Sequence, residues 1–413
     1  MSGFDAEVII VGGGPAGSST GYFLAQMGVD VTILDRARFP RDKVCSEYLS
    51  PEASRILSTM GVLGQIQAAP TAKLTGMMVR TPRGHELRGH FASDHGFRGY
   101  SDHGIAIRRT ILDEILLRRA ASAGARVLEG LKVTDLERSA AGPVEGVRVT
   151  DAGGATRSLR AKMIVGADGL RSVVARRLGL MRSGGWPQRI AIATHYRGIE
   201  GVGDVGEIHV DRGGYFGMAN VGDGMTNVAL VVPTSRAGEI AGDRTGFLED
   251  WIHDRPQLAP RFRSAERVTA VRTTGPFASR ARKPWVPGAA LVGDAADFFD
   301  PFTGEGIYSA LRGGELIAPH IADIMRNPAT EIACLREYAR TRRKVFGDKW
   351  RFERMVGRAV STPWMMDRVG KVLSRRSDLA DLMVGVAGDF VPAKEVLNIQ
   401  FLLRFALARE QWA

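Results

Sequence analysis

The sequence predicts an α/β chain built in two parts. A parallel sheet with packed helices is interrupted by an antiparallel sheet domain, and a helical C-terminal region follows. Three observations carry this expectation. A short apolar strand, a glycine turn and a helix open the chain at residues 7–27, and the same style returns at 163–172 and at 288–296. Between the last two, residues 186–280 switch to apolar alternation with a period of two, broken by polar turns. A length of 413 residues is also more than one simple core organises.

The opening unit is the most informative. Residues 7–11 form a buried strand that runs into Gly12, Gly13, Gly14, Pro15, Ala16 and Gly17, and residues 18–27 continue as a helix. Each glycine has its own mechanical reason. Gly12 permits the sharp turn, Gly14 lets backbone approach a pyrophosphate, and Gly17 allows the helix to close on the strand. The free amides of the helix start then face the anion. A second strand at 29–34 ends in Asp35, about twenty residues after the turn, where an acid would hold the ribose hydroxyls of an adenine dinucleotide. Glycines also gather in ordinary turns. The strand before, the helix after and the acid at this distance separate a Rossmann-like dinucleotide site from such a turn. They leave NAD and FAD equally open.

Next comes a polar loop, residues 36–51, containing Arg36, Lys43, Cys45, Ser46, Glu47 and two prolines. A loop that starts at the ribose acid would run along a bound cofactor. Residues 53–60 read as a helix, 74–90 as strands, and 90–104 as a loop returning from a second sheet. From 105 the pattern is strand, helix to Ala123, then strand at 126–129. Antiparallel runs at 133–136 and 144–150 follow, and the strand 163–165 closes on Gly166, Ala167, Asp168 and Gly169. In the interrupting domain, strands are expected at 190–196, 207–210, 215–219, 226–232 and 267–274. The α/β style resumes with Gly293 and Asp294, and the chain from Ile307 onward is mostly helical.

Composition is that of a soluble globular protein, 44% hydrophobic and 24% charged, and no metal ligand is assigned. No stretch approaches the roughly twenty apolar residues of a spanning helix, and no charged-then-apolar leader precedes the first strand. With only two cysteines, Cys45 and Cys334, a reducing, cytoplasmic location is expected. The net charge of +11 invites an anionic partner. The basic residues are scattered, so nucleic acid is not expected. The densest group, at 340–354, reads as the solvated face of an amphipathic helix.

Taken together, the glycine turn with Asp35, the Ala167-Asp168-Gly169 turn and the Gly293-Asp294 pair resemble the flavoprotein hydroxylase superfamily. Its fold is an FAD domain joined to an antiparallel substrate domain. The resemblance runs to about residue 340 and implies FAD rather than NAD. It places Asp35 at the adenine end, Asp168 near the pyrophosphate, Asp294 on the ribityl chain and Arg109 near the cofactor. Within that superfamily, the run through Pro301, Gly304, Gly306 and Ile307 resembles the geranylgeranyl-reductase group, as does the loop Lys43 to Glu47. The two glycines open a helix whose amides can stabilise negative charge on the flavin ring. The implied domains are 1–73, 101–181 and 283–340 for FAD, 74–100 and 182–282 for substrate, and 341–413 as the helical region. Two departures stand out. Ser46 replaces the glycine after the group's cysteine, and around Tyr215 its tryptophan, phenylalanine and proline are missing.

The resemblance implies reduction of C=C bonds in a prenyl or lipid-like hydrophobic substrate, with NADPH or NADH as electron donor. Cys45, Glu47 and Tyr215 are the candidate catalytic residues, and Cys45 also borders the cofactor. Two alternatives are a monooxygenase acting on an aromatic or polyketide-like ring, and a flavin-binding sensor at a membrane surface. The second draws on the basic group near Arg342 and the apolar run 396–407, which together would give a peripheral membrane contact. Halogenation has less behind it: the tryptophan-rich signature is absent, and Lys73 stands alone.

Overall fold

A computed structural model describes residues 3–140, 142–182 and 188–410, with residues 406–410 described by backbone alone. In chain order, the elements that position the site begin with β1 (Ala6–Val11), α1 (Pro15–Gln26) and β2 (Val31–Asp35). β3 (Gly76–Arg80), β4 (Glu86–His90), α2 (Arg109–Ser122), β5 (Arg126–Glu129) and the long β6 (Thr156–Gly166) follow. The interrupting domain supplies β7 (Arg189–Arg197), β8 (Val205–Asp211), β9 (Gly214–Asn220) and β10 (Met225–Pro233). The chain returns with β11 (Ala289–Leu291) and ends in the helices α3 (Gly306–Arg326), α4 (Glu331–Val360), α5 (Pro363–Leu373), α6 (Ser377–Ala387) and α7 (Ile399–Glu410).

The first sheet has the order β11, β6, β1, β2, β5, with all four pairings parallel. Its central strands are apolar without alternation because helices cover them: Val8, Ile9, Ile10, Ile33, Met163 and Ile164 are fully buried. Gly17 and Gly314 set how closely the layers approach. A Cβ at Gly17 would fall 1.7 Å from the Gly12 carbonyl oxygen, and one at Gly314 would fall 2.6 Å from the Thr20 nitrogen. α3 therefore lies directly on α1, and the Ser19 hydroxyl donates to the Leu311 carbonyl at 2.7 Å.

The second sheet has the order β7, β10, β9, β8, β3, β4 and is antiparallel except where β8 meets β3. One of its faces turns toward the first domain. The other packs Phe216, Leu230 and Val232 under the helix Arg244–His253. The strand pattern expected for this region omitted that helix. Its signal is local: the Asp243 carboxylate accepts from the Thr245 and Gly246 amides, and Leu248, Trp251 and Ile252 follow at helical spacing. α5 and α6 cover the outer strand β4, so close that a Cβ at Gly89 would fall 2.7 Å from the Ala380 oxygen.

The basic group in α4 is corrected in part. Arg343 and Lys344 are exposed as expected. Arg342 instead turns inward to pair with Asp297, and Lys349 reaches Glu305 at 3.0 Å and also pairs with Asp389. Among the described residues no helix is long and apolar enough to cross a membrane.

Candidate active site

Between the two sheets lies a cavity of about 770 Å³. Gly12, Gly14, Pro15, Ala16, Asp35 and Arg36 line one end. The start of α1 is built for an anion. Gly14 occupies its N-cap without any side-chain hydrogen bond, which leaves first-turn amides unsatisfied. Gly12 has φ +106°, and a Cβ there would fall 2.5 Å from the Ala167 oxygen, so the Asp168 turn is pressed against the glycine turn. Asp35 is already engaged, since its Oδ2 accepts from the Gly13 amide at 2.8 Å and its Oδ1 from the Ala37 amide. It braces the turn and still borders the cavity.

Two arginines converge on this turn. A Cβ at Gly14 would lie 3.3 Å from a terminal nitrogen of Arg41 and 3.9 Å from one of Arg109. Both guanidinium groups are held by one fully buried carboxylate. Asp113 takes two hydrogen bonds of 2.6 Å from Arg109 and lies 3.0 Å from Arg41. Asp113 is one turn of α2 beyond Arg109, which is why the pair forms. One buried and one partly buried cation on a single anion leave a surplus positive charge beside unsatisfied amides, and a diphosphate fits it. Neither Arg41 nor Asp113 stood out in the sequence, although Arg41 belongs to the loop that did.

The remaining motif residues divide. Asp168 borders the cavity, but its carboxylate accepts from the Ser172 hydroxyl and the Val173 amide, both at 2.6 Å, and so starts the next helix. Burial pushes its carboxyl up. Gly293 does not line the cavity; its Cβ position lies 2.9 Å from that of Ala16. Asp294 does line it, near Lys43 and Arg109 and with no direct hydrogen bond from the described residues. Burial raises its carboxyl against the pull of those two cations. Burial, reinforced by the Arg109 charge, lowers Lys43. Pro301, Gly304, Gly306 and Ile307 line the cavity where α3 begins. Gly304 is left-handed at φ +73°, and the N-cap residue Glu305 makes no side-chain cap.

Beyond this point the wall becomes apolar, with Met77, Ile208, Ala229, Val231 and Phe277. Tyr215 belongs to it, but its hydroxyl donates to Asp300 at 2.7 Å. Burial and then the Asp300 charge hold that hydroxyl well above 10. Asp300 also pairs with buried Arg189, so three residues distant in sequence meet behind the cavity wall. Cys45 stands on the wall, and its thiol contacts Arg109. Glu47, expected beside it as a catalytic acid, is not brought to the cavity. It is 1% exposed, and its carboxylate takes hydrogen bonds from the Arg109 amide, His195 and Asn227. A carboxylate holding three donors in the interior is an anchor. Lys73 is exposed on an outer strand and does not reach the cavity.

The FAD binding domain family model matches residues 5–352. Digeranylgeranylglycerophospholipid reductase 2 of Methanopyrus kandleri is 27% identical over 410 residues, 97% of this chain and 98% of the relative. A pyrrole-2-carbonyl peptidyl-carrier protein chlorinase of Pseudomonas fluorescens is 26% identical over 357 residues, 79% of this chain and 78% of the relative. Among solved structures, the myxobacterial chondrochloren halogenase, an FAD-dependent enzyme, superimposes with a TM-score of 0.78 at 26% identity, covering 84% of this chain and 81% of that one. With a diphosphate cradle and a cavity running from it to an apolar wall, and with the family model spanning most of its length, the chain belongs to the FAD binding domain family and is an FAD-dependent oxidoreductase.

Proposed function

We propose that this oxidoreductase draws electrons from NADPH or NADH and reduces C=C bonds of a prenyl or lipid-like small molecule. The apolar wall that faces the cofactor cradle across one continuous cavity carries the reading. An alkene without polar handles binds by burial alone, and such a wall keeps water away from the reacting carbons. FAD supplies two-electron redox chemistry at its ring. The chain's own residues do the rest. Arg41, Arg109 and the α1 amides would hold the diphosphate, Asp294 would accept from the ribityl chain, and the α3 amides would favour negative charge at the ring. The second alkene carbon needs a proton, and the donors among the lining residues include Cys45 Sγ and Lys43 Nζ. The lowered Lys43 ammonium releases its proton more readily than an exposed lysine would.

The test is anaerobic reduction by NADPH, then addition of polyprenyl lipids, then air. Return of the oxidised flavin spectrum on adding lipid, before oxygen, is the expected result. Spectral return only with oxygen, accompanied by an oxygenated product, would replace this reading with a monooxygenase. Lys73, exposed on an outer strand, is not placed to act at the cavity.

A peripheral membrane contact fits such a substrate. Trp364 of α5 and Ile399, Leu402 and Leu403 of α7 are exposed, and α5 touches α7. Flotation with anionic vesicles that weakens as salt rises is the expected behaviour, and absence of flotation at low salt removes this part.

A further inference from the structure

The loop carrying Cys45 forms one wall of the cavity, and a buried network crossing between the two domains holds it. Glu47 ends the loop with φ +59°, a left-handed backbone that a non-glycine residue keeps only when its surroundings fix it. One of its carboxylate oxygens accepts from the Arg109 amide at 2.8 Å. The other accepts from His195 Nε2 at 2.7 Å and Asn227 Nδ2 at 3.1 Å. His195 and Asn227 are direct partners across β7 and β10, so both belong to the substrate sheet. Asn227 spends its second N–H on the Cys45 carbonyl at 3.2 Å. One amide group therefore ties the loop and its anchor to the same strand.

The imidazole's proton can be assigned from its partners. The Thr194 hydroxyl donates to the Thr269 carbonyl at 2.7 Å, and the His195 amide donates to Thr269 Oγ1 at 2.9 Å. The Thr269 hydroxyl lies 3.1 Å from both His195 Nδ1 and Thr194 Oγ1, so it packs the imidazole against the strand. An ionised carboxylate only accepts, so Nε2 carries the hydrogen aimed at Glu47. Behind the loop, residues 42–45 pack over Ala193, His195, Thr269 and Arg272, leaving a crevice of only about 10 Å³.

We propose that Glu47, His195 and Asn227 are positioning residues for the redox reaction: they fix the Cys45 loop against the cavity, so that placement of the substrate sheet sets the shape of the reactive end. This rests on the proposed function only in taking that end of the cavity as the reactive one.

The test uses FAD-loaded protein carrying Cys334→Ser, which leaves Cys45 as the single thiol, and measures its alkylation by iodoacetamide. Asn227→Ala, which removes both hydrogen bonds of that side chain, is expected to speed alkylation at least about tenfold. FAD content should stay the same, and kcat should fall with KM little changed. Thr269→Val, outside the main cavity, should act in the same direction by about two- to threefold through the imidazole. It carries the test if Asn227→Ala does not fold. A merely structural role would lower the melting temperature and leave the alkylation rate of the folded protein unchanged, and that outcome in the folded variants overturns the proposal. Alkylation needs no substrate, so a wrong substrate class and a wrong latch give different results.

Discussion

At the phosphate end of the cavity the working residues come as a few short sequence clusters. Gly12 to Gly17 supply the turn and the free amides, and Arg109 and Asp113 lie one helical turn apart. The substrate end is assembled from Met77, Ile208, Tyr215, Val231 and Phe277, contributed by separate strands and a loop of a sheet that the chain enters twice. The first end recognises a fixed charged group with backbone, which tolerates almost no variation. The second recognises apolar surface, which many side-chain sets can supply. Substitutions should therefore act sharply and specifically at the first end and diffusely at the second.

The largest expected effect is Gly14→Val. A Cβ at Gly14 meets only the ends of two arginine side chains, and the residue's φ is an ordinary −74°. The fold should accept the substitution while the space for the diphosphate is filled, giving a folded protein without the yellow absorbance of bound FAD. Gly17→Val makes the contrast: with a Cβ 1.7 Å from the Gly12 oxygen, it should prevent folding. A yellow Gly14→Val protein would break the comparison.

At the other end, Asp300→Asn should act on stability. Asp300 neutralises buried Arg189, accepts from Tyr215 and accepts the Phe302 amide at 3.0 Å. Breaking a buried pair from one side costs about 3–5 kcal/mol, visible as a large fall in melting temperature. FAD affinity per folded molecule should hold. Tyr215→Phe removes one hydrogen bond and should cost only about 1 kcal/mol. If Asp300→Asn instead released FAD without destabilising the protein, the two ends would not be separable.

The same contrast explains what could be read in the sequence. The parallel strands, the glycine turn and the helices that follow are specified by runs of neighbouring residues, so β1, α1, β2 and the start of α3 lie where the pattern puts them. Arg109 could be singled out by resemblance, but the carboxylate that aims it could not, because only the folded helix puts Asp113 under both arginines. Glu47 misled for the same reason. Next to a cysteine in a cavity loop it reads as an acid, whereas His195 and Asn227, far along the chain, turn it into an anchor. Helix Arg244–His253 was hidden among strands, and the inward turn of Arg342 and Lys349 depended on partners in other elements.

A further substitution sharpens the comparison by separating stability from cofactor affinity. Asp294 is buried beside the cavity, and its carboxyl is raised above its ordinary value by that burial. A group whose folded pKa exceeds its unfolded one loses its stabilising contribution as pH rises through the folded value. At neutral pH, flavin-free Asp294→Ala should then melt no lower than the parent. FAD binding should nonetheless weaken roughly ten- to a hundredfold, the value of about 1.5–3 kcal/mol for one charge-assisted hydrogen bond. An unchanged dissociation constant, measured by quenching of flavin fluorescence, would remove Asp294 from the site.

The smallest effect is expected where the two ends meet, at Cys45. Its thiol touches Arg109, which belongs to the phosphate end, while its side chain packs against apolar residues of the main core. Serine keeps the size and a donor but gives up acidity and apolar character. If Cys45 serves the substrate end, Cys45→Ser should lower turnover several-fold and leave the bleaching of flavin absorbance by NADPH unchanged, because nothing in the diphosphate cradle has moved. If Cys45 only fills space, the hydroxyl in an apolar contact should cost roughly 1 kcal/mol of stability and leave turnover intact. Measuring melting temperature, flavin bleaching and turnover on one preparation separates the two, and a loss of bleaching would place Cys45 with the phosphate end instead.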